Sequence, residues 1–331
     1  MRVLYIGGSG EISYACIHEG ARLGHDISVF NRGHSTESYP QGVRFIQGDM
    51  NDPASYGKLG EEKWDVVCQF RIFNETQARR DIDMFAGKVG QYVFISTASG
   101  YQKPSRQLIV TENTPMENPF WPYSQAKIVC EKLFMGEHQA GRLPVTIVRP
   151  SHTHRRNFPG TIGGSDHWAW RMLQGKSILV HGDGTSLWTI TYADDFAVPF
   201  ARLLGNAKAL GQAFHITRHM ESFTWNDIFM AMGKSLGVEP RLVHVPTAAL
   251  VRFKAEWAGP LYGDKTPCVM FDNTKVMQAT GLVDWKCKLS LQEGMNRVVE
   301  HYRQREAGYK PDEELHTLID RVTEAQMGVG A

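Results

Sequence analysis

The chain of 331 residues lacks long apolar runs and any excess of charge. Its first apolar run, Val3 to Ile6, is too short for the core of a signal peptide. No stretch approaches the roughly 20 apolar residues that span a bilayer. Because 36 basic residues balance 35 acidic ones, no overall charge attracts a nucleic acid or an anionic membrane. We therefore expect a soluble, cytoplasmic protein that binds neither.

Cysteine is scarce, and its spacing excludes two further classes of protein. The five cysteines never form a Cys-x-x-Cys pair, so we expect reduced, buried thiols rather than a disulfide framework or a zinc site. His152 and His154 have no Cys, Asp or Glu at a ligand spacing, and no metal site is predicted. A Gly-x-Ser-x-Gly hydrolase motif is also missing.

Short apolar segments alternate with helical patterns through the first half of the chain. Strands are predicted at residues 2–6, 26–30, 43–47 and 64–70, and later at 92–97 and 145–150. This alternation is typical of an α/β protein with a doubly wound parallel sheet, the Rossmann fold. The composition then changes near residue 158, which predicts a smaller C-terminal α/β domain.

The first predicted strand is followed directly by a glycine-rich turn. Gly7, Gly8 and Gly10 allow a tight turn and a close approach of the backbone to a pyrophosphate, whose charge the amides of the next helix would meet. This context predicts a dinucleotide site. After the second strand stand Asn31 and Arg32, where a carboxylate would select NAD and an arginine suits a 2′-phosphate. We favour NADP as the cofactor, with NAD as the alternative.

A hydroxyl, a phenol and an amine form the predicted catalytic group. Thr97 stands at the carboxyl end of the fifth strand, and Tyr123 and Lys127 lie four residues apart on one face of a helix. Lys127 is therefore expected to lower the pKa of Tyr123 and to make it an acid/base near neutral pH.

The ordered motifs resemble the extended short-chain dehydrogenase/reductase family. They are the glycine turn, Gly48-Asp49, Thr97 and Tyr123-x-x-x-Lys127. Within that family the chain looks like the NAD(P)-dependent epimerase/dehydratase branch, which acts mostly on nucleotide sugars. The resemblance covers most of the chain.

The resemblance implies a role for each matching residue. Tyr123 would be the acid/base, Thr97 would bond the same substrate oxygen, and Lys127 would also hold the nicotinamide ribose. Ser99, His152 and Trp188 are expected to contact the substrate. The expected cofactor-binding residues are Gly7, Ser9, Gly10, Ile12, Asn31, Arg32, Asp49, Met50, Phe70, Lys127, Pro150 and His152.

Several departures from the family pattern bear on the reaction. Ala98 and Ser99 stand where sugar 4,6-dehydratases carry an Asp-Glu pair, which disfavours that reaction. Glu11 replaces an aromatic residue beside the expected pyrophosphate site, and Ser13 replaces a glycine. Trp188 stands where the family often has an arginine that clamps the phosphates of a sugar nucleotide.

Three functions follow from these observations. The first is a sugar epimerase or oxidoreductase that acts on a sugar or nucleotide sugar by reversible hydride transfer. The second is a keto-reductase or dehydrogenase for a small molecule without a nucleotide. The third is a relative without enzymatic activity that binds RNA or a protein. Dimerisation through the helices that contain Tyr123 is common in the family, so a homodimer is an expectation.

The domain boundaries follow from the same reasoning. We expect residues 1–157 to form the dinucleotide-binding domain, with a return segment at about 177–217. The substrate-binding part would comprise residues 158–176 and 218–331. A flexible loop is predicted at residues 160–164.

Overall fold

We describe a computed structural model of the chain, which covers residues 1–162 and 166–328. Its strands are β1 (Arg2–Ile6), β2 (Asp26–Asn31), β3 (Arg44–Gln47), β4 (Trp64–Gln69), β5 (Val89–Ile95), β6 (Ile109–Val110), β7 (Val145–Pro150), β8 (His152–His154), β9 (Ile178–His181), β10 (Leu187–Trp188), β11 (Ile190–Tyr192), β12 (Gln212–Ile216), β13 (Phe223–Thr224), β14 (Leu242–Val245) and β15 (Met270–Phe271). Its α-helices are α1 (Ser13–Arg22), α2 (Pro53–Gly57), α3 (Glu75–Phe85), α4 (Pro122–Gln139), α5 (Asp166–Leu173), α6 (Ala193–Leu203), α7 (Trp225–Leu236), α8 (Thr247–Phe253), α9 (Ala258–Pro260), α10 (Thr274–Thr280), α11 (Leu291–Arg303) and α12 (Glu313–Met327).

The large sheet confirms the predicted fold class. Within the described residues it has seven parallel strands in the order β12-β7-β5-β4-β1-β2-β3. Its interior strand β1 is apolar on both faces, with Val3, Leu4, Tyr5 and Ile6 all buried, as expected for a parallel strand covered by helices on both sides. The strand order reverses between β1 and β4, and this is the point where a doubly wound sheet opens a crevice.

Helices cover both faces of the sheet. Helices α1 and α6 pack on one face, where Cys16, Ile17 and Phe196 join the core. Helices α3 and α4 pack together on the other, where Phe85 and Phe134 are buried. The catalytic motifs of the sequence therefore lie on elements that the two cores hold firmly.

A smaller α/β part is built mainly from the C-terminal residues. Its strands β9 and β14 pair in parallel, so residues 178–181 of the expected return segment belong to this part, whereas β12 joins the large sheet. Helix α7 is capped by Thr224, whose hydroxyl and the Asp227 carboxylate form a capping box. We call the buried rings at the centre of this part the aromatic cluster: Trp168, Trp188, Trp225 and Phe229.

Two kinds of functional feature are missing from the described residues. Among residues 1–162 and 166–328, no helix is both long and apolar enough to cross a membrane. The same residues contain no group of three or more His, Cys, Asp or Glu side chains that could hold a metal ion. Residues 163–164 of the predicted flexible loop lie outside the described part of the chain.

Candidate active site

A cavity of about 630 Å³, called here the cofactor cleft, runs along the carboxyl edge of the large sheet. It opens beyond the carboxyl ends of β1 and β4, the neighbouring strands between which the strand order reverses. Thr97 and Tyr123 line it, together with every residue that the sequence predicted to bind the cofactor. Of the predicted substrate residues only His152 lines the cleft, since Ser99 and Trp188 lie behind its walls.

The glycine turn at the end of β1 has little room for side chains. Gly7 has a φ of +89°, a conformation that side chains rarely adopt, and a Cβ atom there would collide with the stem of Arg71. A Cβ atom at Gly8 would collide with Val29. Ser13 closes the turn, because its Oγ donates to the Gly7 carbonyl at 2.8 Å and accepts from the Gly10 amide at 3.0 Å. The serine therefore replaces the family's glycine without disturbing the turn.

Helix α1 begins at the glycine turn. Its N-cap residue, Ile12, makes no side-chain hydrogen bond to the amides of the first turn. Backbone amides at such a helix end attract an anionic group. The chemistry of this end of the cleft therefore fits the pyrophosphate of a dinucleotide.

Glu11 is turned toward the loop after β8 rather than left as an unpaired charge. Its carboxylate accepts the amides of Arg155 and Arg156 at 2.8 Å each and that of Asn157 at 3.1 Å, and the Arg156 side chain adds an ion pair. Burial raises the pKa of Glu11, but these hydrogen bonds outweigh it and hold the pKa below its ordinary value. The carboxylate thus ties this loop to the glycine turn.

The end of β2 carries cationic and amide groups. The Asn31 side chain accepts the Gly33 amide at 2.8 Å and donates to the Tyr39 hydroxyl at 2.8 Å, which shapes the loop after β2. Arg32 is exposed, and both Arg32 and His34 line the cleft.

Asp49, Met50 and Phe70 line the cleft beside the expected adenosine. Asp49 accepts the amide of Asn51 at 2.8 Å, so it also shapes the turn after β3. Phe70 packs on Tyr5 with ring centroids 6.1 Å apart. Each residue therefore has a structural contact besides its place in the cleft wall.

Lys127 lies on α4 and is only 2% exposed. Its Nζ donates to the carbonyls of Ile72 at 2.6 Å and Ile95 at 2.8 Å, and it lies 4.8 Å from the ring centre of Phe73. Burial, with a smaller contribution from the nearby charge of Arg71, lowers the pKa of Lys127 to about 8. The amine therefore bridges the loop after β4 and the end of β5 at the cleft.

Tyr123 and Thr97 meet at the same edge. The Thr97 side chain lies close enough to the Tyr123 hydroxyl to lower the tyrosine pKa, but burial outweighs this and raises the pKa of Tyr123 above its ordinary value. Asp264 raises it further by its charge. The expectation that Lys127 brings the pKa of Tyr123 down is not met, since the pKa is raised and the ammonium is bonded to two carbonyls. Tyr123 is a neutral phenol at neutral pH and can act as a proton donor.

Ser99 supports Thr97, the predicted partner of the substrate oxygen, from behind. Its Oγ lies 2.9 Å from Oγ1 of Thr97 and 2.7 Å from Oγ of Ser124, and its carbonyl accepts the Asn118 side chain at 2.7 Å. All four side chains are buried. This network fixes the rotamer of Thr97.

On the opposite wall, His152 forms the boundary between the cleft and the aromatic cluster. The centroid of its ring lies 4.9 Å from that of Trp188, and burial lowers the pKa of His152 to about 3, so the imidazole is neutral. Trp188 is 1% exposed and stacks on Trp225 with centroids 4.3 Å apart. It therefore supports His152 from within the core.

Sequence reasoning missed three residues of this site. Arg71 follows the end of β4 and lines the cleft, and the rule that ligands bind at the carboxyl edge of such sheets could have found it. Ser124 adjoins the catalytic tyrosine, but its bond to Ser99 depends on tertiary packing. Asn118 also donates to the Gly263 carbonyl at 2.8 Å, and no sequence motif announces that contact.

Comparison with known proteins supports the geometry. The sequence profile of the NAD dependent epimerase/dehydratase family matches residues 83–217. The chain is 26% identical to the 2'-dehydrokanamycin reductase of Streptomyces kanamyceticus, over 99% of this chain and 88% of that one. It is 23% identical to the UDP-glucose 4-epimerase of Mycolicibacterium smegmatis, over 92% and 99% of the two chains. A solved UDP-glucose 4-epimerase from Bifidobacterium longum, in complex with NAD+ and UDP, superposes with a TM-score of 0.72 at 16% identity, over 93% of this chain and all of that one (100%).

The match over residues 83–217 and these relatives bear out the resemblance to the epimerase/dehydratase branch of the extended short-chain dehydrogenase/reductase family. The family prediction from the sequence is thereby confirmed, as is the prediction of an enzyme of this type. The family is NAD-dependent, which confirms a nicotinamide dinucleotide as the class of cofactor.

Proposed function

We propose that this enzyme transfers hydride reversibly between a nicotinamide dinucleotide and a carbonyl or carbinol carbon of a small, sugar-like molecule that carries no nucleotide. The observation that carries the chemistry is the meeting of Thr97, Tyr123 and Lys127 at the edge of the cofactor cleft. When bound, the dinucleotide supplies or accepts the hydride.

The side chains divide the remaining work. The neutral Tyr123 hydroxyl donates its proton to the substrate oxygen as the carbonyl is reduced, and takes it back in the reverse direction. Thr97, fixed by Ser99, bonds the same oxygen and orients it. Lys127 would hold the ribose hydroxyls of the cofactor.

The aromatic cluster supports a substrate without a nucleotide. Trp188 occupies the position of the phosphate-clamping arginine of the family, and it is stacked on Trp225 inside the core. A buried indole offers no charge to a diphosphate. A relative that matches over 99% of the chain is named as a reductase of 2'-dehydrokanamycin, which agrees with this choice.

NADP is the proposed form of the cofactor. Arg32 and His34 face the cleft after β2, and the residue at the end of that strand is an asparagine engaged with Tyr39 and Gly33. A guanidinium binds a 2′-phosphate, whereas a carboxylate at this place would bind the ribose diol of NAD. Arg32→Ala should weaken the binding of NADPH about tenfold and leave that of NADH unchanged, as measured by calorimetry.

A 4-epimerase is the second candidate, favoured by the match to UDP-glucose 4-epimerases over most of the chain. Mass spectrometry of small molecules retained through purification separates the two reactions. An oxidised cofactor that stays bound supports the epimerase, and a cofactor that is lost on dilution supports the reductase.

The test of the proposed function is Tyr123→Phe. This variant should lose turnover by about a hundredfold or more in an assay that follows reduced cofactor with a panel of keto-sugars, and it should still bind the cofactor. A variant that keeps full turnover with a substrate of the wild-type enzyme would rule out the acid/base role.

A further inference from the structure

Arg71 places a positively charged side chain beside the glycine turn. It follows the end of β4, and its aliphatic stem occupies the space that a side chain at Gly7 would need. Its guanidinium carbon lies 5.1 Å from the ring centre of Phe73. The stem of this exposed residue therefore lies over the turn and its guanidinium beside Phe73, and Arg71 lines the cofactor cleft.

No protein group neutralises this charge. Within residues 1–162 and 166–328, no carboxylate lies within ion-pair distance of Arg71, and its guanidinium makes no hydrogen bond. Arg155, by contrast, is paired with Glu37 at 2.6 Å nearby. Arg71 also lies close enough to Lys127 to lower the pKa of that amine. Two neighbouring cations at one edge of a cavity favour an anionic ligand there.

The backbone at Arg71 is fixed from the core. Its amide donates to Oε1 of Gln69 at 2.7 Å, and the Nε2 of Gln69 donates to the buried carboxylate of Asp81 at 2.7 Å. Tyr56 and Tyr92 also donate to Asp81. This network holds the start of the loop after β4 in one position against the glycine turn.

We propose that Arg71 pairs with the pyrophosphate of the bound dinucleotide, across the glycine turn from the amides of α1. The inference rests on the proposed function, since it needs a dinucleotide in the cleft. A guanidinium presents a planar fork of donors that matches two phosphate oxygens. Arg71 would thus supply the positive charge on the side of the pyrophosphate that the helix does not reach.

The experiment is a calorimetric titration of wild-type protein and Arg71 variants with NADPH, NADH and adenosine 2′-monophosphate. Arg71→Ala should weaken NADPH and NADH about tenfold each, because both contain the pyrophosphate, and should leave adenosine 2′-monophosphate unchanged. Arg71→Lys should recover part of the affinity. Because a charge is lost, the dependence of affinity on salt should also be shallower in Arg71→Ala, an effect that a purely structural role would not produce.

Arg79→Ala is the matched control, since Arg79 is exposed on α3 and pairs with Glu75 there. It should bind both dinucleotides as the wild type does. Equal affinity in Arg71→Ala and the wild type would overturn the proposal, as would a loss limited to NADPH, which would point to the 2′-phosphate. A wild-type protein that binds neither dinucleotide would instead overturn the proposed function itself.

Discussion

The cofactor cleft and the aromatic cluster are neighbours that differ in packing, because the cleft is open and the cluster is filled by its own side chains. The cleft presents open backbone and unpaired cations such as Arg71, so it is arranged for an anionic ligand. The cluster is filled by its own rings, with Trp188 stacked on Trp225 and against His152. The cleft therefore fits the nicotinamide dinucleotide of the matching family, whereas the cluster buries Trp188, the residue that the resemblance aligns with a phosphate-clamping arginine. We propose that this difference reflects hydride chemistry applied to a substrate without a nucleotide.

Truncating Trp188 tests whether the cluster is a core or a surface for substrate. Trp188→Ala should lower the free energy of unfolding by about 3–5 kcal/mol, because it leaves a cavity among packed rings. Urea unfolding measures this. Trp170→Ala, at a partly buried tryptophan of α5, should cost less. A small loss in Trp188→Ala would mean that the ring is a solvent-facing platform and would break the comparison.

Lys127, which lines the cofactor cleft, makes the stability of the protein depend on pH. Its pKa is about 8 in the folded protein, against an ordinary value of 10.5. Below pH 8 the amine of Lys127 is protonated in both the folded and the unfolded protein. Above it the unfolded state binds more protons, so the contribution of Lys127 to stability rises as the pH increases.

The stability of the wild type relative to Lys127→Met should therefore increase by on the order of 2 kcal/mol between about pH 7 and pH 10. Urea unfolding of both proteins at the two pH values measures it. Lys132→Met, at an exposed lysine of the same helix, is the control and should follow the wild type. Parallel pH profiles for the wild type and Lys127→Met would contradict the burial of a charged amine at this site.

Substitutions of Glu11 test whether hydrogen bonds from backbone amides allow the cleft to contain a carboxylate. Glu11→Ala should cost about 1–2 kcal/mol of stability, since it removes the acceptor of three backbone amides. Glu11→Gln keeps an acceptor oxygen and should cost less. Thermal unfolding gives the stability, and titration should find the affinity for NADPH unchanged in Glu11→Gln. A clear gain in affinity in that variant would mean that the charge of Glu11 opposes the cofactor.

The hydroxyl network behind Thr97 should give the smallest effect. Ser124→Ala removes the partner of Ser99 and should cost about 1 kcal/mol, with a loss of turnover smaller than that of Tyr123→Phe. Stability, turnover and cofactor affinity are measured together. If the variant loses as much turnover as Tyr123→Phe, Ser124 takes part in proton transfer and is more than a support.

Local sequence signals were enough to predict most of the cleft. The glycine turn, Arg32, Thr97 and Tyr123 all follow strands or begin helices, so the rule that parallel strands end at one edge brought them together. The same patterns predicted the fold. These residues were accessible because their positions depend on neighbours in sequence.

Contacts between distant residues were beyond that reasoning. The place of Trp188 depends on Trp225, and the partners of Glu11 come from residues 155–157. The pKa of Tyr123 was expected to be lowered by Lys127, but burial and the charge of Asp264 raise it. Desolvation is a property of the packed structure, and no spacing in the sequence reports it.

The comparison between the open cleft and the filled cluster is tested most directly by a two-step calorimetric titration of the wild-type protein. NADPH is added first to saturation, and uridine, thymidine or guanosine diphosphate follows. The account predicts saturable binding of NADPH and no binding of any of the three diphosphates. Absence of NADPH binding, or saturable binding of a nucleoside diphosphate to the NADPH-loaded protein, would contradict it.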